Sequence, residues 1–138
     1  MATAGYSGTP LAKKLGIKSG CRLRLVDAPA HYFELFTDLP ADISILKDKR
    51  GAKDVVHYFT TKAEQLHRDI AALRDEIAPD GMVWVSWPKK AAKVPTDVDE
   101  NVVRDLALKN GLVDVKVCAI DDTWSGLKLV IRLKDRKR

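Results

Sequence analysis

The spacing of hydrophobic and polar positions changes several times along the chain, and each change marks an element. Residues 22–27 (RLRLVD) supply a first strand through Leu23, Leu25 and Val26. Pro29 opens a helix to about Phe36, with Tyr32, Phe33, Leu35 and Phe36 available for packing, and Leu39-Pro40 ends it. Residues 43–46 form a second strand, the charged stretch 47–53 with Gly51 a turn, and residues 54–59 (DVVHYF) a third strand. The clearest helix spans 61–78. Thr61 and Glu64 have capping-box spacing, and Leu66, Ile70, Leu73 and Ile77 fall on one face. Pro79-Asp80-Gly81 stops it. Residues 82–87 (MVWVSW) are apolar on both faces, as a central parallel strand is, and Pro88 ends them.

Thr96 to Asp99 caps a further helix with Val98, Val102, Val103 and Leu106 as its buried stripe, and Asn110-Gly111 closes it. Residues 112–120 and 127–133 are two more strands. The six residues between them, 121–126, are too few for a crossover helix, so the pair is an antiparallel hairpin. Ahead of all this, Gly5 to Gly8 reads as a flexible arm, and Thr9-Pro10 starts a short helix that stops near Gly16.

This alternation predicts an α/β fold: a three-layer, Rossmann-like, mostly parallel sheet ending in an antiparallel hairpin. The step from Leu46 to Asp54 is open, because so few residues either make a hairpin or carry the chain across the sheet. The organisation expected is an arm and short helix over 1–20, one α/β domain over 21–133, and a basic tail over 134–138. A length of 138 residues fits that single domain.

With 46% hydrophobic and 31% charged residues, the chain is expected to be soluble and globular rather than disordered. No apolar run approaches the ~18 residues of a membrane span, and the N-terminal residues carry no secretory pattern. Cys21 and Cys118 form no CxxC pair and no metal-ligand spacing with His31, His57 or His67. A reducing, cytoplasmic setting is expected, with Cys118 a small buried hydrophobe. The net charge of +5 sits at the ends: residues 1–26 hold five basic groups and no acid, and residues 132–138 hold five basic groups against Asp135. A basic tail attracts nucleic acid or anionic surfaces, but without a groove-reading element a solvated tail is the plainer account, so nucleic acid is not an expected partner.

The run from Ile77 to Val85 (IAPDGMVWV), followed by a helix, Gly111-Leu112 and a terminal hairpin, resembles the second half of a class I S-adenosylmethionine-dependent methyltransferase. In layout the resemblance covers roughly residues 22–133. The chain also resembles a family of small bacterial proteins with no established activity. It does so through residues 9–16 (TPLAKKLG), 86–90 (SWPKK), 100–104 (ENVVR) and 113–118 (VDVKVC), and through 124–128 (WSGLK). The methyltransferase likeness implies a glycine-rich cofactor loop after the first strand, and here that place reads Asp27-Ala28-Pro29-Ala30-His31, with no glycine. One strand and its flanking helices between Leu46 and Asp54 also look absent. No cofactor is therefore expected.

Ligands of open α/β sheets sit outside the carboxyl ends of the parallel strands. That rule gathers on one rim the loops 27–32, 60–61, 87–93, 96 and 121–126. The candidate ligand-binding residues are Asp27, His31, Tyr32, Trp87, Lys89, Lys90, Trp124 and Ser125. Tyr32, Trp87 and Trp124 offer flat apolar surfaces, or Trp87 and Trp124 close the core beneath the loops. Lys89 and Lys90, close in sequence to the helix start at Thr96, are either suited to an anion or a solvated corner. Asp27, His31, Asp121 and Asp122 are suited to proton transfer, but no nucleophile triad, zinc spacing or phosphate loop is present, and no residue is assigned as catalytic or as a metal ligand. His57, inside a strand, reads as a satisfied structural histidine. Three readings stand: a binding or regulatory protein with a small or anionic ligand at the rim, a divergent enzyme, and an interaction module such as a homodimer or nucleic-acid accessory. The first explains the intact sheet pattern and the missing glycine loop together.

Overall fold

The computed structural model describes residues 9–136. The arm expected over 5–8, and Lys137 and Arg138 of the tail, lie outside them. Six strands form one sheet: β1 (Arg22–Val26), β2 (Ser44–Ile45), β3 (Lys53–Phe59), β4 (Ile77–Pro88), β5 (Leu112–Ala119) and β6 (Trp124–Ile131). Their order across the sheet is β2-β1-β3-β4-β6-β5. β1 to β4 run parallel, and β6 lies antiparallel to both β4 and β5. The mostly parallel α/β sheet closed by an antiparallel hairpin is thus present, with β1 and β4 on either side of β3.

Two helices, α2 (Ala63–Glu76) and α3 (Glu100–Lys109), cover one face. Leu66, Ile70 and Leu73 of α2, with Val103 and Ala107 of α3, meet Val56, Val83, Val85, Leu127 and Leu129 of the sheet. Each fully buried leucine, isoleucine or valine contributes about 1.5–3 kcal/mol of transfer free energy, so this face is the main stabilising layer. The stripe expected on α3 needs adjustment. Val98 and Val103 are buried, but Val102 and Leu106 are only half-buried and Ala107 takes the inner position.

Helix α1 (Leu11–Leu15) covers the other face with Leu11, Ala12 and Leu15. The fully buried Trp84 donates its indole N–H to the Leu15 carbonyl at 2.9 Å, which fixes α1 to the sheet. The carboxylate of Asp38 accepts the Ala12 and Lys13 amides, capping the helix from a distant loop. Cys21 and Cys118 are free thiols buried in this layer.

Several boundaries differ from expectation. The helix expected over 29–36 is a single 3-10 turn, Tyr32–Leu35. The capping box at Thr61 does not form: the Ala63 amide donates to Asp97 across the gap between helices instead. Pro79-Asp80-Gly81 is no helix stop. α2 ends at Glu76 and β4 begins at Ile77. The register then jumps from Lys53↔Ile77 to Val55↔Met82, so residues 78–81 bulge out of the strand. β6 starts at Trp124, which moves Trp124 and Ser125 from the loop into the strand. Residues 46–52 do not make a hairpin. They carry the chain across β1, since β2 and β3 both pair with β1 in parallel. The basic tail opens with a 3-10 turn, Leu133–Asp135, and Arg136 donates to the Ile131 carbonyl.

Candidate functional site

The direction of connection reverses between β1 and β3, because the chain leaves β1 for β2 on one side and then crosses back to β3 on the other. A crevice at that reversal is where open α/β sheets seat their ligands. Here the loop that follows β1 turns back and packs Tyr32 against β3. After β1, Asp27 adopts φ 55°, the left-handed region that L-residues enter at a cost. The Tyr32 amide then donates to Pro29, folding the loop down over the strand ends. Tyr32, expected as a flat surface on the rim, is 1% exposed. Its ring packs against Phe33, Phe36, His57 and Phe59.

Below Tyr32 runs a buried polar line. The Tyr32 hydroxyl lies 3.0 Å from His57 Nδ1, and His57 Nε2 lies 2.8 Å from the Ser86 hydroxyl. A neutral imidazole donates through one nitrogen and accepts through the other, so it joins both hydroxyls. Burial pushes the His57 imidazole down to about 3, which keeps it neutral. Burial likewise raises the Tyr32 phenol. With its partners enclosed, His57 is the satisfied structural histidine its position in a strand predicts.

His31 reaches across the rim to Asp121, Nε2 to carboxylate 3.2 Å, and ties the β1 loop to the β5–β6 turn. Asp121 also accepts the Thr123 and Trp124 amides, so the aspartate belongs to the turn. Trp124 lays its ring edge-to-face on Phe59 and is half-buried. What stays open above the crevice is a small polar bridge: Gln65 donates to Asp27 and accepts from the Thr60 hydroxyl. Gln65 escaped the sequence reading because its place on α2 carries no signal of proximity to β1.

A second feature lies further along the rim. A groove of about 470 Å³ runs between Trp87 and Asp99. Trp87 and Val98, both nearly buried, form its apolar floor, and Lys89, Lys90 and Lys93 stand along one side. Lys93 adopts φ 57°, so both non-glycine left-handed residues among the described residues, Asp27 and Lys93, sit on this rim. The opposite wall is bolted to the start of α2: the Thr96 hydroxyl donates to the Thr61 carbonyl at 2.7 Å, and Asp97 accepts the Ala63 amide at 2.8 Å. Asp99 caps α3 through the Val102 amide. The two acids thus serve helix amides, whereas none of the three lysines forms an ion pair among the described residues.

Of the eight candidate residues, Trp87, Lys89 and Lys90 share this groove, Asp27 and His31 lie at the crevice, and Trp124 rests on Phe59. Tyr32 is interior, and Ser125 pairs with Trp87 in the β4–β6 ladder. Lys93, in the rim loop, and Asp97 and Asp99, in the expected helix cap, join the groove although they are not among those eight residues. Among the described residues no three His, Cys, Asp or Glu side chains gather as a metal site requires.

The strand order, mostly parallel with an antiparallel terminal hairpin, is that of a methyltransferase-like α/β fold. No family model matches the chain, and no match was found among curated proteins. Similarity to solved structures is extensive. A SAM-dependent methyltransferase from Aquifex aeolicus superposes with TM-score 0.59 at 13% identity, covering 88% of each chain. Magnesium protoporphyrin IX methyltransferase from Synechocystis PCC 6803, solved with bound SAH, gives TM-score 0.56 at 11% identity over 88% of this chain and 78% of that one. The ribosomal protein L11 methylase of Lactobacillus delbrueckii subsp. bulgaricus gives TM-score 0.57 at 13% identity over 87% and 74%. At such identities the likeness establishes the fold and leaves the chemistry to the site. Among the described residues no helix is long and apolar enough to cross a membrane.

Proposed function

We propose that the chain is a divergent methyltransferase-like protein that binds a small anionic ligand in the groove between Trp87 and Asp99, its ancestral cofactor crevice being closed. The observation that carries this reading is the Asp27–Tyr32 segment. Where a glycine loop would let a cofactor approach the backbone, side chains stand in the way, and the Tyr32 ring fills the space beneath. The groove supports the positive half of the reading. It offers an apolar floor and three lysines without an ion pair among the described residues, while Asp97 and Asp99 are held by helix amides, an arrangement that favours an anion carrying an apolar body.

A second reading, a working S-adenosylmethionine-dependent enzyme, draws on the preserved strand order and on the exposed Asp27–Gln65 bridge at the crevice. Amide chemical shifts separate the two. Titration with pyrophosphate should move amides of residues 89–99 and leave 27–31 still. Movement of 27–31 on adding S-adenosylmethionine would favour the enzyme.

A further inference from the structure

The face of the hairpin that carries α1 holds an uncompensated set of cations. Lys116 of β5 and Lys128 of β6 are direct cross-strand partners. Such partners have Cβ atoms about 5 Å apart, and like charges there are destabilising. Lys18 lies close enough to weaken Lys128 electrostatically: burial first, then Lys116 and Lys18, lower the Lys128 ammonium from its ordinary value. Lys14 of α1 reaches the Cys118 thiol, and Lys116 and Lys89 act on that same thiol. Five lysines therefore surround one stretch of sheet. None forms an ion pair among the described residues.

Of the nearby acids, Asp38 is held by amides of α1, Asp42 by the Ser19 hydroxyl, Asp121 by His31 and Asp54 by Arg22. Asp80 shares a pocket with Lys18 alone of the five lysines, away from Lys116 and Lys128. Lysines on an edge strand also guard against aggregation, and the bulge between Asp114 and Lys116 serves that end. Edge protection does not explain Lys128, which is half-buried on an interior strand between β4 and β5. An anion placed between the two ammonium groups would relieve this repulsion.

We propose that this lysine face binds single-stranded nucleic acid through its phosphates, without reading its sequence. The cations are spread over a helix, a turn and two strands, so a single phosphate meets only part of them, whereas a phosphodiester chain offers one charge per nucleotide. Nothing on the face is shaped to read base edges, and the half-exposed Trp124 is the aromatic available at its upper end. The tail-based argument against a nucleic-acid partner does not touch this surface.

The test is fluorescence anisotropy with a short labelled oligodeoxythymidylate over a salt series, using the wild type and Lys116→Gln/Lys128→Gln. Each lost phosphate contact removes about 0.7 from the slope of log affinity against log salt, about fivefold near 0.1 M salt. The double variant should therefore bind about 25-fold more weakly, with the slope reduced by about 1.4. Its melting temperature should be no lower than that of the wild type, since a repulsion has been removed. A Lys134→Gln/Arg136→Gln tail variant should bind within about twofold of wild type. The proposal is overturned if the wild type does not bind the oligonucleotide at about 50 mM salt. Equal binding by the double variant, an equal loss in the tail variant, or tight binding of tripolyphosphate alone would overturn it as well.

Discussion

Acid should destabilise this protein through His57 before most of its carboxylates are protonated. The imidazole is fully enclosed between Tyr32 and Ser86 and titrates near 3 in the folded chain, against about 6.5 when unfolded. The folded value is depressed, so the unfolded chain takes up the proton first. Stability is then unaffected above about pH 6.5 and falls as pH drops from there towards 3. The slope approaches 1.36 kcal/mol per pH unit, and about 3 kcal/mol is lost by pH 4. Against a domain stability of about 5–15 kcal/mol, that loss lowers the melting temperature by roughly 10 °C or more. Urea unfolding of wild type and His57→Gln at pH 7, 5.5 and 4 isolates the contribution. The variant should be less stable by about 1–3 kcal/mol at pH 7, through imperfect hydrogen bonding to one hydroxyl. That deficit should shrink or reverse by pH 4. A gap that stays constant across the series would refute the reasoning.

Two further outcomes follow from buried features. Glu76 accepts a bidentate bond from Arg24 and stands 3.3 Å from the fully buried Lys53. Glu76→Gln removes the carboxylate charge that faces both cations, although Lys53 keeps the Arg50 and Gly51 carbonyls, and should cost about 3–5 kcal/mol in urea unfolding; a cost under about 1 would show that solvent reaches them. A Cβ at Gly81 would lie 2.7 Å from the Lys53 carbonyl oxygen, a backbone atom. Gly81→Ala should destabilise by about 1–3 kcal/mol as the β4 bulge shifts, and an unchanged melting curve would contradict the bulge geometry.

The elements legible in the sequence were those with a strong period or a hard length limit. The four-three spacing of Leu66, Ile70 and Leu73 located α2, although Ile77, expected on the same face, begins β4, and the few residues after Ile120 forced the hairpin. What stayed hidden depends on contacts between distant residues. Thr61 and Glu64 match a capping box, yet Asp97 reaches the Ala63 amide first. Tyr32 looks like a rim aromatic because nothing nearby shows that His57, 25 residues on, supplies its hydroxyl with a buried partner. Arg24 sits in an alternating strand as though solvent-facing, and only Glu76 explains its burial. The lysine face escaped for the same reason: the opposition of Lys116 and Lys128 is set by strand register.

The central claim is that side chains now occupy the place where a methyltransferase-like fold would hold its cofactor. Heteronuclear NMR of the labelled protein with S-adenosylhomocysteine in large excess puts it to the most direct test. Unmoved amides at Asp27, Ala28, Ala30, His31 and Tyr32 are the predicted result. Saturable shifts at those residues, with the Tyr32 ring leaving its contacts to His57 and Phe59, would contradict it.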